Sequence, residues 1–266
     1  MTTLFRRAKP VIGMLHLPAL PGSPASDSTL EQIRLGMLRD AGALMDGGVD
    51  GLMVENIGDA PFYPSRVPPH TVAFLAVLAH ELKRAFARPL GVNVLRNDGI
   101  SAVAVAEAAG ADFIRVNVYT GARVADQGIL EGEAHELQRY RKLLGSRVQV
   151  WADVAVKHSA ALGVRDLADE VEDTVLRARA DAIVVSGSGT GKQTPIDVIC
   201  KAKAAAGIAP VFIGSGASAE TAAELLRFAD GLIVGTWFKA GGILSEPVDS
   251  ARVRRLMDAV NACRTD

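Results

Sequence analysis

The chain has 266 residues, of which 49% are apolar, 29 are basic and 30 acidic, for a formal net charge of −1. That balance gives no electrostatic case for nucleic acid or an anionic membrane as partner, and no apolar run approaches the roughly 20 residues of an integral membrane segment. The opening MTTLFRRAKPVIGMLHL is too short in its apolar part for a signal peptide, and Cys200 and Cys263 lack metal-type spacing, so reduced thiols and a cytoplasmic location are expected.

Strand-like apolar runs are predicted at Val11–Leu17, Gly51–Glu55, Leu90–Leu95, Phe113–Val118, Val148–Val156, Ala182–Val185, Val211–Ile213 and Leu232–Val234. Helical patterns separate them at Leu30–Gly47, Thr71–Ala87, Ile100–Gly110, Glu133–Leu144, Leu167–Ala180, Pro195–Gly207 and Ala219–Phe228, with a last one from Val253. Buried strands alternating with amphipathic helices predict a parallel sheet. Eight such units in this length fit a closed (β/α)8 TIM barrel better than an open sheet. No linker or charge block marks a boundary, so residues 1–266 are expected to form a single domain. Cys200 falls in a helical pattern and reads as a core or half-buried residue.

Four helix-to-strand junctions repeat one pattern, a small residue or Gly followed by Asp: Asp50, Asp112, Asp181 and Asp230. In a barrel these lie at the bottom face, where a turn and stability role is expected. Polar residues collect at the opposite ends. Period two in the fifth strand puts Val150, Ala152, Val154 and Val156 on the helix-facing side, which leaves Trp151, Asp153 and Lys157 inward. In the fourth strand the same rule turns Arg115, Asn117 and Tyr119 inward. Asn93 and Asn97 are inward candidates from the third, and His16 and Glu55 end the first and second. Charges are costly to bury unless paired or used, so a polar site at the barrel top is expected. Three long connections supply walls for it: Pro18–Pro24, the proline-rich Asn56–His70, and Tyr119–Gly132.

The last two predicted strands end in Gly214-Ser215-Gly216 and Gly235-Thr236. Such loops offer backbone N–H groups to an anion, and a helix capped by Ser218 would add its dipole. Together they predict a phosphate grip, tight strand-end packing being the structural alternative. Ser186-Gly-Ser-Gly-Thr-Gly191, which includes Gly187 and Gly189, reads equally as a phosphate- or hydroxyl-binding loop or as a plain loop. It matches neither a Walker A nor a Rossmann pattern.

Several stretches jointly resemble the BtpA/SgcQ family. They are His16-Leu-Pro-Ala-Leu-Pro-Gly-Ser-Pro24, Val54-Glu-Asn-Ile-Gly-Asp-Ala-Pro-Phe62, Gly91-Val-Asn-Val-Leu-Arg-Asn-Asp98, Thr120-Gly-Ala-Arg-Val-Ala-Asp-Gln-Gly128 and Ser186-Gly-Ser-Gly-Thr-Gly191. The resemblance covers nearly the whole chain. It implies a barrel with a phosphate-binding type of site, and it brings two functional associations: photosystem I biogenesis in cyanobacteria and, elsewhere, a neighbourhood of sugar metabolism. It implies no settled reaction. Trp237 is bulkier than is usual where the last strand ends.

The function expected is an enzyme acting on a small phosphorylated ligand, a sugar phosphate or ribose-phosphate derivative. Glu55, Asp153, Lys157 and His16 are its acid/base and electrostatic candidates. Asn93, Asn97, Arg115, Asn117 and Ser186 would bind the substrate, and Gly187, Gly189, Gly214, Ser215, Gly216, Gly235 and Thr236 the phosphate. Isomerisation, lyase or aldol cleavage and glycosidic cleavage all fit. A non-catalytic assembly factor for a membrane complex such as photosystem I is the alternative. No cofactor is expected: His16, His158, Glu55 and Asp153 could supply a divalent-metal site, but no HxH or HExxH spacing supports one. Self-association into a homo-oligomer is expected through exposed helices.

Overall fold

The computed structural model describes residues 4–156, 158–187 and 193–264. Eight parallel strands close a barrel: β1 (Val11–His16), β2 (Gly51–Glu55), β3 (Leu90–Asn93), β4 (Phe113–Val116), β5 (Gln149–Val154), β6 (Ala182–Val185), β7 (Val211–Ile213) and β8 (Gly231–Val234). Each neighbours the next, and β8 pairs with β1. Helices α1 (Leu30–Asp46), α2 (Pro69–Ala85), α3 (Gly99–Ala109), α4 (Ala134–Leu144), α5 (Leu167–Glu172), α6 (Ile196–Ala205), α7 (Ala222–Leu225) and α8 (Ser250–Asn261) follow the strands in turn.

The helical periodicity acts as expected. In α1 the buried stripe Ile33, Met37, Ala41 and Leu44 faces the sheet, each large side chain contributing about 1.5–3 kcal/mol by burial. A capping box between Thr29 and Gln32 starts that helix. Two helices are shorter than their patterns. Leu167–Ala180 is helical only to Glu172 and continues as a π turn over Asp173–Arg177. α7 spans four residues rather than Ala219–Phe228: residues 219–221 form a turn in which Ser218 Oγ accepts from the Thr221 amide at 3.3 Å, and at the far end the chain tightens to i→i−3 bonds, Arg227 N to Glu224 O and Phe228 N to Leu225 O, both at 3.1 Å. Cys200 is exposed on α6 rather than half-buried.

The barrel interior is layered. Its lower part is apolar, with Trp151 stacked between Phe113 at 4.0 Å and Phe212 at 4.2 Å. Ile12, Met14, Met53, Val184 and Ile233 complete that layer, and Phe5 reaches it from the chain's start. At the bottom face the four junction aspartates each accept an amide from the start of the preceding strand. Asp50 takes Val11 N at 2.8 Å, Asp112 Leu90 N at 2.8 Å, Asp181 Val150 N at 2.8 Å and Asp230 Val211 N at 2.7 Å.

At the top, the long connection after β4 folds into a hairpin, Ala122–Ala125 with Gly128–Glu131, and Ser159–Ala161 adds a third antiparallel strand. Two expectations of strand period fail here. β4 ends at Val116, so Tyr119 no longer obeys its alternation: its side chain turns outward, and its hydroxyl donates to Ala178 O at 2.8 Å. Val156, beyond the end of β5, packs with Val118 and Leu130 beneath the small sheet rather than with the helices.

Candidate functional site

Strand register sets the site. His16 pairs with Glu55, Glu55 with Asn93, and Asn93 with Arg115, so one transverse row across β1–β4 carries four polar side chains. All face inward, directly above the aromatic layer. Glu55 is buried; its Oε1 lies 3.5 Å from His16 Nε2, and its Oε2 accepts from Asn93 Nδ2 at 3.0 Å.

Asp153 lies one step around the barrel and is fully engaged. It accepts from Arg115 Nε at 3.1 Å, from Arg115 Nη2 at 3.0 Å and from Asn117 Nδ2 at 2.6 Å. Burial works against the charge on Arg115, but Asp153 and Glu55 outweigh it and hold the guanidinium pKa above its ordinary value. Arg96, also buried, shows the reverse balance. Desolvation lowers its pKa, and Asp153 and Asp126 offset this only in part.

The ends of β7 and β8 are shaped by close approach. A Cβ on Gly214 would stand 2.7 Å from Ser186 Oγ and 2.9 Å from Arg115 Nη2, and one on Gly235 only 2.3 Å from His16 Cε1. Any side chain at either position would displace the polar row. Gly216 has φ 81, a conformation that glycine adopts without steric penalty. The Ser215, Gly216 and Ala217 amides donate to no acceptor among the described residues. What this corner offers is therefore its loop amides, α7 being too short to contribute a useful dipole.

Two cavities open from the row. One, of about 560 Å3, is bounded by His16, Glu55, Arg115, Gly214–Ser218 and Gly235–Trp237. Arg252, from the first turn of α8, completes its rim: the guanidinium lies 4.2 Å over the Trp237 ring, and its Nε donates to Trp237 O at 2.7 Å. The other, of about 350 Å3, lies under the small sheet and is lined by Glu55, Asn93, Arg96, Arg115, Asn117, Asp126, Gln127 and His158. Phe62 and Ile57, from the proline-rich connection, close one side.

The structure thus brings His16, Glu55, Arg115, Gly214, Ser215, Gly216, Gly235 and Thr236 around one cavity, and Asn93 and Asn117 around its neighbour. Asp153 stands beside the row as the support of Arg115, and Ser186 sits against Gly214, followed by Gly187. Asn97 is not brought in. Its amide bridges backbone instead, accepting from Val118 N at 2.7 Å and donating to Val118 O at 3.0 Å. Lys157 and Gly189 lie outside the described residues. Sequence reasoning missed Arg252, Arg96 and Gln127. Arg252 sits on a surface helix and Gln127 at a hairpin turn, where nothing in the local pattern separates a site residue from a solvated one.

Known proteins share this architecture. A phosphoribosylanthranilate isomerase from Pyrococcus furiosus superposes with TM-score 0.60 at 14% identity, over 96% of this chain and 99% of that one. GGGPS from Thermoplasma volcanium superposes with TM-score 0.61 at 15% identity, over 98% and 96%. At these identities the likeness establishes the (β/α)8 barrel. In sequence, an uncharacterized protein of Thermococcus kodakarensis is 47% identical over 96% of this chain and 97% of its own length. The photosystem I biogenesis protein BtpA of Synechocystis is 43% identical over 96% of this chain and 89% of its own length. A Caenorhabditis elegans protein described as mitochondrial is 32% identical over 99% and 98%. With residues 7–262 matching the family as well, the chain belongs to the BtpA family.

Proposed function

We propose that the chain is an enzyme acting on a phosphorylated small molecule, a sugar phosphate or ribose-phosphate derivative, by acid/base chemistry at Glu55. One observation carries this reading. Glu55 and Arg115 line both cavities, so a carboxylate and a guanidinium stand where a ligand reaching from one cavity to the other would have its middle atoms.

The phosphate would occupy the larger cavity, on the amides of Ser215–Ala217 with Arg252 at the rim. Glu55, held between His16 and Asn93, is placed to take a proton from carbon or hydroxyl and return it. Arg115, fixed by Asp153, offers its charge to an oxygen that becomes anionic as that proton leaves. Asp153, with Arg115 and Asn117 on its oxygens, acts as a positioning residue. Proton transfer beside a stabilised oxyanion serves isomerisation and aldol or lyase cleavage, and in glycosidic cleavage the same carboxyl would instead protonate the leaving oxygen. A phosphoribosylanthranilate isomerase with this fold shows the architecture serving one such chemistry.

Melting temperature against a panel of phosphorylated compounds and their dephosphorylated forms tests the grip, since ligands of the native state raise it by linkage. Compounds that bind are then incubated in D2O and followed by NMR. Deuterium incorporation or a new product, lost in Glu55→Gln while binding persists, is the expected result. Turnover unchanged in Glu55→Gln would overturn the assignment.

A second reading, a non-catalytic assembly factor, draws on the Synechocystis relative and on one surface. Val124 and Ile129, opposite each other on the small sheet, and Leu162 just beyond it are exposed. That reading expects a protein partner and no response to any phosphorylated compound.

A further inference from the structure

The cavity under the small sheet has three amide side chains with a common arrangement. Asn93 Nδ2 donates to Glu55 at 3.0 Å, Asn117 Nδ2 to Asp153 at 2.6 Å, and Gln127 Nε2 to Asp126 at 2.6 Å. An ionised carboxylate only accepts, so Asn93 and Asn117, on buried partners, must present their NH2 groups and cannot be turned over, and Gln127 presents its own to the exposed Asp126. The three carbonyl oxygens are thereby directed elsewhere. Asn93 Oδ1, Asn117 Oδ1 and Gln127 Oε1 are all buried and accept from no group among the described residues. Buried acceptors left in this state are costly, and all three residues line the same cavity of about 350 Å3.

Resting on the phosphate reading above, we infer that this cavity holds the polyhydroxyl half of the substrate, and that the Asn93, Asn117 and Gln127 oxygens select for its hydroxyl hydrogens. Three acceptors require a ligand rich in donors. An ammonium group would donate to these oxygens, but it has no acceptor to offer Arg96 or Arg115, which line the same cavity. A carboxylate or an unsubstituted aromatic ring would satisfy the two guanidinium groups at most, leaving the amide oxygens bare. A hydroxyl answers both needs, because it donates to an amide oxygen and accepts from a guanidinium. The site would therefore discriminate by hydroxyl count as well as by phosphate.

Calorimetry on the full chain with a set of pentitol 5-phosphates of differing configuration, n-pentyl phosphate, inorganic phosphate and the free pentitols tests this. At least one pentitol phosphate should bind about tenfold or more tightly than pentyl phosphate, since the alkyl chain leaves the buried acceptors unpaired. That ratio should fall severalfold in Asn117→Leu. It should fall likewise in Gln127→Ala, whose position at an exposed hairpin turn spares the barrel. Equal binding of pentitol and pentyl phosphates, or a ratio unmoved in both variants, overturns the inference and leaves the phosphate grip standing. Binding of a free pentitol with none of the phosphorylated compounds or inorganic phosphate bound overturns the grip and keeps the inference. Silence to all of them overturns both.

Discussion

Asp50, Asp112, Asp181 and Asp230 do the same work at four points of the barrel floor. Beyond the strand amide each accepts, each also meets a cation: Arg264, Lys83, Arg141 and Lys203 respectively. The repeated small-residue–Asp pattern made the aspartates legible in the sequence, because a turn residue before a buried strand has few other uses. Their cationic partners come from three helices and the segment after α8, and were not. Tyr119 shows where strand reasoning stops. Alternation fixes a face only while the ladder lasts, and three residues past Val116 the Tyr119 side chain has turned outward. The buried hydroxyl has a measurable consequence. Burial pushes its pKa up to about 12, against the opposing hydrogen bond from Gln138. An unfolded tyrosine ionises near pH ~10, so the unfolded chain loses this proton first. Stability from this group is therefore complete below pH ~10 and falls by about 1.4 kcal/mol per pH unit up to about 12. Urea midpoints between pH 9 and 11.5 should decline more steeply for the native chain than for Tyr119→Phe. Parallel slopes would show the hydroxyl to be freely ionisable.

Among the elements, the β7 and β8 ends carry the proposed grip, and their loops were readable for a simple reason. Glycine and hydroxyl residues directly after short apolar strands leave amides uncommitted where a ligand can approach. The helix expected after β7 was overestimated, because residues 219–221 form a turn and the chain past Leu225 tightens to i→i−3 bonds. The proposed grip would thus depend on loop shape. Gly235→Ala tests that dependence at its tightest point, since the new methyl would lie 2.3 Å from His16 Cε1. The imidazole must move, and with it the 3.5 Å approach to Glu55. Affinity for inorganic phosphate, measured by calorimetry, should fall at least about tenfold, about 1.4 kcal/mol. Stability should fall by about 1–3 kcal/mol, as for other overpacked sites. Unchanged affinity would remove the β8 loop from anion binding.

For the molecule as a whole, the question is what holds the barrel closed at the seam where β8, late in the chain, meets β1 near its start. The seam's register runs Val11–Leu232, Ile12–Ile233 and Gly13–Val234. Beside it the two ends of the chain are tied together. Arg264, just past α8, donates to Lys9 O at 2.9 Å and pairs with Asp50, which itself holds Val11 N at 2.8 Å. One side chain thus links the last helix, the segment entering β1 and the turn entering β2. Both partners are largely shielded, at 8% and 11% exposure, so removing one leaves the other poorly solvated. Arg264→Ala should therefore cost about 2–4 kcal/mol, toward the range for broken buried pairs. In a chain of this size that lowers the melting temperature by roughly 5–12 °C. The double variant Asp50→Asn with Arg264→Gln separates charge from packing. If the buried charge is what destabilises, it should melt above Arg264→Ala despite carrying two changes. If it melts lower, the tie acts through its backbone hydrogen bonds, and closure of the seam belongs to the strand ladder and the α1–α8 contact.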